Sequence, residues 1–274
     1  MLINVKGQLL DLSKPKVMGI LNLTPDSFYD GGNYLGAEHF LFQTEKMLKE
    51  GASMIDVGAF SSRPNGTWIS EEEEWQRLEK PLELLLQKFP ELILSVDTFR
   101  SKIAHQAIDF GVGIVNDISA GHLDEAMLPL IAQIQVPYIM MHMRGTPQTM
   151  SQLNDYDNLI KDVLFYFSER IHYARTLGIN DLIVDPGFGF AKTLEQNFTL
   201  LRELELFQSL KVPILVGVSR KSMIYKTLGS SASEALNGTT ALNIVALTKG
   251  ASILRVHDVK EAVECVKLFE SLNS

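Results

Sequence analysis

Apolar residues along this chain gather in short runs, and each run ends on a polar side chain followed by turn residues. The clearest case opens at residues 17–22, V-M-G-I-L-N, which is short and apolar enough for one buried strand of a parallel sheet. It stops on Asn22 and runs into Thr24-Pro25-Asp26-Ser27 and Gly31-Gly32, where proline fixes φ, Asp and Ser bond nearby backbone, and glycine loosens the chain. The same design returns at 53–57, 92–96, 114–115, 138–141, 182–184, 214–217 and 253–256. Between these runs the apolar spacing changes to a helical period, at 36–49, 71–89, 101–110, 123–134, 154–177 and 258–272. Ser70 before four consecutive glutamates reads as an N-cap with acids in the first turn, and Gly51, Gly111 and Gly178 read as helix stops. Residues 3–10 form a separate short hairpin pattern around Gly7.

Eight strands in alternation with helical segments imply parallel pairing through right-handed crossovers. Eight such units in about 250 residues is the size of a closed (β/α)8 barrel, an α/β TIM barrel here preceded by a short N-terminal β-hairpin. An open doubly wound sheet is the alternative, but no Gly-x-Gly-x-x-Gly follows the first strand. No linker-like stretch divides the chain, so 1–274 reads as one barrel domain.

Composition narrows the function. The net charge of −8 and a pI near 5.3 disfavour a general nucleic-acid or anionic-membrane binder, while leaving room for a local cationic pocket. The single Cys265 rules out an intramolecular disulfide and permits a reducing compartment. No basic segment precedes an apolar one at the N-terminus, and no apolar run approaches the ~20 residues of a membrane span. A cytoplasmic location is expected.

In a (β/α)8 barrel the strand C-termini share one face, and that face carries the chemistry. It would gather Asn22, Asp56, Asp97, Asn116, Asp117, His142, Asp185, Lys221, Arg255 and His257. Asp97, Asn116 and Asp185 suit a flat heterocycle rich in N–H donors and ring nitrogens. Arg63, Lys221, Arg255 and His257 suit phosphate. Asn22 offers one oxygen to a magnesium ion that would take the rest of its shell from phosphate and water. Each residue also has a plainer reading. Asp56 and Asp117 can satisfy loop N–H groups or support arginines, His142 can be a packed residue in a methionine-rich run, and Lys221 beside Arg220 can be a surface pair.

The strand-end motifs make the reading specific. Asn22-Leu23-Thr24-Pro25-Asp26-Ser27-Phe28, Ser61-Ser62-Arg63-Pro64, Ser95-Val96-Asp97-Thr98, Asn116-Asp117-Ile118-Ser119, Met141-His142-Met143-Arg144-Gly145-Thr146-Pro147, Asp185-Pro186-Gly187-Phe188-Gly189-Phe190, Gly217-Val218-Ser219-Arg220-Lys221-Ser222 and Arg255-Val256-His257-Asp258 occur in order. Together they resemble the dihydropteroate synthase family. The resemblance implies a folate-pathway transferase that joins 4-aminobenzoate to 6-hydroxymethyl-7,8-dihydropterin diphosphate, with Mg²⁺ as cofactor. It also implies a homodimer and a sulfonamide target. It assigns Asp97, Asn116, Asp185 and Lys221 to the pterin, and Asn22, Arg63, Arg255 and His257 to the diphosphate, with Asn22 on the metal. Ser62, Pro64, Phe190, Lys221 and Ser222 border the aminobenzoate. The implied catalytic set is Asp97, Asp185, Lys221, Arg255 and Asn22, and the loops around 26–32 and 61–66 would close over them. Three positions depart from the family pattern: Phe60 stands where a carboxylate is usual, Ser62 replaces threonine, and Ala191 stands where glycine is common. A methyltetrahydrofolate-using methyltransferase barrel would share the pterin residues but not need the diphosphate cations, and a non-catalytic paralogue would be expected to lose charges at the mouth.

Overall fold

The computed structural model describes residues 1–23, 33–60 and 68–273. The chain begins with an antiparallel pair, β1 (Leu2–Val5) and β2 (Gln8–Asp11), turned at Lys6 and Gly7, both with positive φ. Eight parallel strands follow: β3 (Lys16–Asn22), β4 (Met54–Gly58), β5 (Leu94–Asp97), β6 (Ile114–Asp117), β7 (Tyr138–Met141), β8 (Leu182–Asp185), β9 (Leu215–Val216) and β10 (Ile253–Val256). Their order is β8-β7-β6-β5-β4-β3-β10-β9, and a Val184↔Ile214 bridge joins β8 to β9, closing the barrel. The (β/α)8 expectation holds, hairpin included.

Nine α-helices occur among the described residues: α1 (Asn33–Lys49), α2 (Glu71–Lys88), α3 (Ser101–Phe110), α4 (Met127–Ile134), α5 (Leu159–Thr176), α6 (Leu194–Arg202), α7 (Ser222–Thr227), α8 (Leu236–Thr248) and α9 (Val259–Leu272). Alternation is therefore not strict, because α7 and α8 both lie between β9 and β10. Local chemistry explains the ends. Ser70 accepts the Glu73 amide to start α2, as expected, and Gly111 with φ of 113° stops α3. Two helices start later than their apolar spacing suggests. At α5 the cap is Asn158, whose side chain accepts the Lys161 amide, so 154–157 stay outside the helix. At α4, Asp124 is spent accepting the Ala126 amide at 3.0 Å and the Ser101 amide at 2.7 Å, which fixes the turn before Met127. Both misreadings came from apolar periodicity that continues past a polar cap.

The hairpin is positioned by the barrel's lower core. Ile3, Val5 and Leu12 are buried with Met18, Met54, Ile114, Ile183, Leu215 and Ile253, residues in the early parts of the strands. A Cβ on Gly113, just before β6, would lie 2.8 Å from a methyl of Val5, so the hairpin seats against bare backbone there. The apolar layer fills the N-terminal end of the barrel and leaves the polar strand ends at the other. Among the described residues, no helix is long and apolar enough to cross a membrane.

Candidate active site

Polar residues at the strand ends meet through one carboxylate. Asp56 on β4 is fully buried, and its Oδ2 accepts the Asn116 carboxamide of β6 at 2.8 Å and the Arg255 Nε of β10 at 2.7 Å. Arg255 donates a second bond, from Nη2 to Asp97 Oδ2 of β5 at 2.8 Å. Four strands are thus linked by one chain of bonds, Asn116–Asp56–Arg255–Asp97. Burial works against the Arg255 charge, but Asp56 and Asp97 outweigh it and hold its pKa above the ordinary value. Burial pushes Asp97 up to about 7, with Arg255 pulling it back. The Oδ1 of Asp56 has no bond to any described group.

Asp185 closes the ring from β8. It is nearly buried, and its Oδ1 accepts the Gly187 amide at 2.8 Å. Burial raises its pKa, opposed first by Lys221 and then by that amide bond. Lys221 caps α7, donates to the Phe188 carbonyl, and holds its ammonium 4.9 Å from the centre of the Phe190 ring. Burial lowers it to about 8, while Asp185 favours its charge. Ser222 begins α7 beside it. His257, exposed at the end of β10, lies with Nδ1 3.1 Å from Ser219 Oγ, while its amide donates to the same hydroxyl at 3.2 Å. Asn22 ends β3 with an exposed side chain.

Of the residues singled out from sequence, Asp97, Asn116, Asp185, Lys221, Arg255, Phe190 and Ser222 come together at this end, with Asn22 and His257 at its edge. Ser62, Arg63 and Pro64, and the proposed closing loops at 26–32 and 61–66, lie outside the described residues. The plainer readings hold for Asp56, which supports Arg255, and for two further groups. Asp117 is consumed by the Ser119 and Gly121 amides and the Tyr138 hydroxyl. His142 is buried and packed edge-on against Tyr166 at 4.8 Å. Lys221 and Arg220 are both half-buried and part ways in their partners: Lys221 reaches the Phe188 carbonyl, and Arg220 makes a two-bond ion pair with Asp258.

Asp56 supports an arginine, as its plainer reading has it, but does so inside the site. Lys192 escapes the sequence reading. Lys192 Nζ lies 3.0 Å from each of His142 Nδ1, Gly187 O and Phe190 O. Its signal was its place directly after the Asp185–Phe190 motif. The departures also find physical settings. Phe60 packs edge-to-face on Trp68 and on Phe99, both at 5.3 Å, so an aromatic contact joins the two ends of segment 61–67. Beneath it the Arg100 guanidinium pairs with the buried Glu74. Ala191 adopts φ of 49°, a left-handed conformation that suits glycine better, which accounts for glycine being common there.

The comparisons agree with this geometry. Residues 18–257 match the pterin binding enzyme family. The dihydropteroate synthase of Escherichia coli strain K12 is 42% identical over 269 residues, 97% of this chain and 94% of that protein. That of Haemophilus influenzae is 40% identical over 264 residues, 96% and 95% of the two chains. The Yersinia pestis dihydropteroate synthase, solved with a sulfonamide drug complex, superposes with a TM-score of 0.93 at 39% identity, covering 100% of this chain and 99% of that one. The Xanthomonas albilineans enzyme in complex with 7,8-dihydropteroate gives 0.89 at 34% identity, with 100% and 99% covered.

His142 provides a pH test of this packing. Burial, then Lys192 and Arg144, lower its pKa to about 2, against an ordinary value of 6.5. The unfolded chain therefore binds the extra proton between those limits. The stability that His142 contributes is complete above about pH 6.5 and falls below it by up to about 1.4 kcal/mol per pH unit. Urea unfolding between pH 7 and 5 should show a shallower loss of stability in His142→Asn than in wild type; equal slopes would mean that His142 is not held neutral. With seven of the residues singled out from sequence on one barrel face and nearly the whole chain aligned to its relatives, the chain belongs to the dihydropteroate synthase family of pterin-binding enzymes.

Proposed function

We propose that this chain, read as one pterin-binding barrel domain over 1–274, is a transferase of folate biosynthesis. It condenses 6-hydroxymethyl-7,8-dihydropterin diphosphate with 4-aminobenzoate to give 7,8-dihydropteroate and pyrophosphate. The observation that carries this is the bond chain Asn116–Asp56–Arg255–Asp97, which joins groups suited to a heterocycle to a cation suited to phosphate. Asp97, Asn116, Asp185 and Lys221 hold the pterin. Arg255, His257 and Asn22 face the diphosphate, together with Arg63 from outside the described residues.

The bond from the exocyclic methylene to diphosphate breaks first, and Arg255 and His257 meet the charge that gathers on the leaving group. The Asp185 carboxylate favours the cationic methylene, which is conjugated with the dihydropterin. The aniline nitrogen of 4-aminobenzoate then attacks from the side bordered by Phe190, Lys221 and Ser222, a side to which Ser62 and Pro64 are also assigned; the new C–N bond replaces the broken C–O bond, and the proton shed by the nitrogen passes to the departing pyrophosphate or to water. No protein nucleophile enters, and Cys265 is buried in α9. Mg²⁺ would arrive with the substrate phosphates and be held by one protein oxygen, on Asn22. When bound, the ion supplies charge neutralisation at the diphosphate.

Formation of 7,8-dihydropteroate with pyrophosphate by the purified chain should require dihydropterin diphosphate, 4-aminobenzoate and Mg²⁺ together, and a sulfonamide should compete with 4-aminobenzoate. Pyrophosphate release with no dihydropteroate formed when 4-aminobenzoate is present, or pterin binding with no turnover, would defeat this reading, and corrin-dependent methyl transfer would replace it. Asp56→Asn puts an amide where one carboxylate oxygen serves two donors. It should lower kcat/KM for the pterin substrate by about 100-fold or more while the barrel stays folded; near wild-type kcat/KM would remove Asp56 from the site.

A homodimer is also proposed. α8 carries apolar residues around much of its circumference, and Val245 there and Leu228 just after α7 are exposed. Sedimentation should give twice the 30.6 kDa chain mass, and Val245→Glu should shift it toward one chain; a wild-type monomer at micromolar concentration excludes the dimer.

A further inference from the structure

The loop 186–191 carries the Phe190 ring, yet its own backbone supplies little to hold it: the Phe190 amide bonds to Gly187 O at 3.1 Å. Side chains do the rest. Asn197 Oδ1 accepts the Gly189 amide at 2.6 Å, and the Tyr156 hydroxyl donates to Ala191 O at 2.9 Å. Lys221 donates to Phe188 O. Lys192 reaches back over the loop to Gly187 O and Phe190 O and across to His142 Nδ1, all at 3.0 Å. Carbonyls 187, 188, 190 and 191 are therefore each met by a side chain from elsewhere in the barrel or from the end of the loop.

Three acceptors around one ammonium match its three donors. Because an ammonium can only donate, His142 must accept at Nδ1 and carry its proton on Nε2. The depressed His142 pKa agrees with a neutral ring, and Lys192 is itself lowered to about 7 by burial, against the pull of Asp185. A neutral amine would have only two N–H donors for the three positions. The loop also lies hard against its neighbour: a Cβ on Gly187 would sit 2.1 Å from His142 O. Lys192 and Gly187 thus fasten the same edge of the loop to β7's end, one by bonds and one by close approach.

We propose that Lys192 is a positioning residue for the 4-aminobenzoate side of the site: tying Gly187 O, Phe190 O and His142 together, it sets the Phe190 ring. This rests on the synthase reading above. Lys192 does not touch the substrate. It acts through the Phe190 ring, which borders 4-aminobenzoate alone, whereas Asp97 and Asn116 are held by the separate Asp56–Arg255 chain. Its loss falls on one substrate more than the other, which a general loosening of the fold would not do.

The test is steady-state pyrophosphate release by the full chain, with wild type, Lys192→Met and Lys192→Arg side by side, and calorimetric binding of dihydropterin diphosphate. Methionine keeps the length without donors. Arginine keeps the charge but has a planar fork, which cannot point at three acceptors gathered around one atom. Both variants should raise KM for 4-aminobenzoate by about tenfold or more, with dihydropterin diphosphate affinity within about threefold of wild type. Lys192→Cys should show the same defect, and aminoethylation of that cysteine should recover most of it, since Cys265 is buried and the restored side chain again ends in an ammonium. A KM for 4-aminobenzoate within about twofold of wild type, or equal losses for both substrates, overturns the assignment. So does loss of fold in both variants, which would make Lys192 a folding residue only. Absence of release from wild type instead overturns the synthase reading.

Discussion

A guanidinium inside the wall of a barrel is costly, and here the site depends on how that cost is met. Removing Arg255 from water opposes its charge, and one carboxylate in contact would not by itself make the burial favourable. Two carboxylates in hydrogen-bond contact change the balance, because each adds attraction in a medium that screens less than water. The same arrangement restrains the acids. Asp56 is fully buried and spends one oxygen on two donors, so Asn116, Arg255 and Asp97 are fixed relative to each other before any substrate arrives. Together with Asp185, Lys221 and Lys192, this end of the barrel sets three carboxylates against three cations.

Strands and loops divide the work. Strand ends supply Asp56, Asp97, Asn116, Asp185 and Arg255, whose positions follow from the parallel register. The loops supply groups whose placement the backbone ladder does not determine. There the chain uses unfavourable conformations: Ala120 after β6, Ala191 after β8 and Arg220 after β9 all have φ near 50° without being glycine. Such positions cost on the order of 1 kcal/mol each and persist where surrounding contacts determine them. Arg220 is held by Asp258 and by the Ala232 and Ser233 carbonyls, and Ala191 by Tyr156.

Much of this was legible in the sequence, for physical reasons. Buried parallel strands are short apolar runs, and the residue after each run must lie at the barrel's C-terminal face, so Asp97, Asn116, Asp185 and Arg255 could be placed there without coordinates. Helix starts were less legible where apolar periodicity outran the cap, as at Asp124 and Asn158. The pairing within the site was not legible at all. Nothing in the spacing of Asp56 and Arg255, 199 residues apart, says that they share a bond. Lys192 was missed for a related reason: a lysine just past a glycine-rich turn looks like a solvated charge until the fold brings His142 against it.

The hairpin at the start of the chain has a consequence for traffic. Ile3, Val5 and Leu12 add a further apolar layer to one end of the barrel, whose interior is already filled by side chains. Nothing passes through such a core. Whatever binds must come and go across the face where the strands end, past the same carboxylates and cations in both directions, while the two four-residue strands of the hairpin lie on the far side of the packing from them.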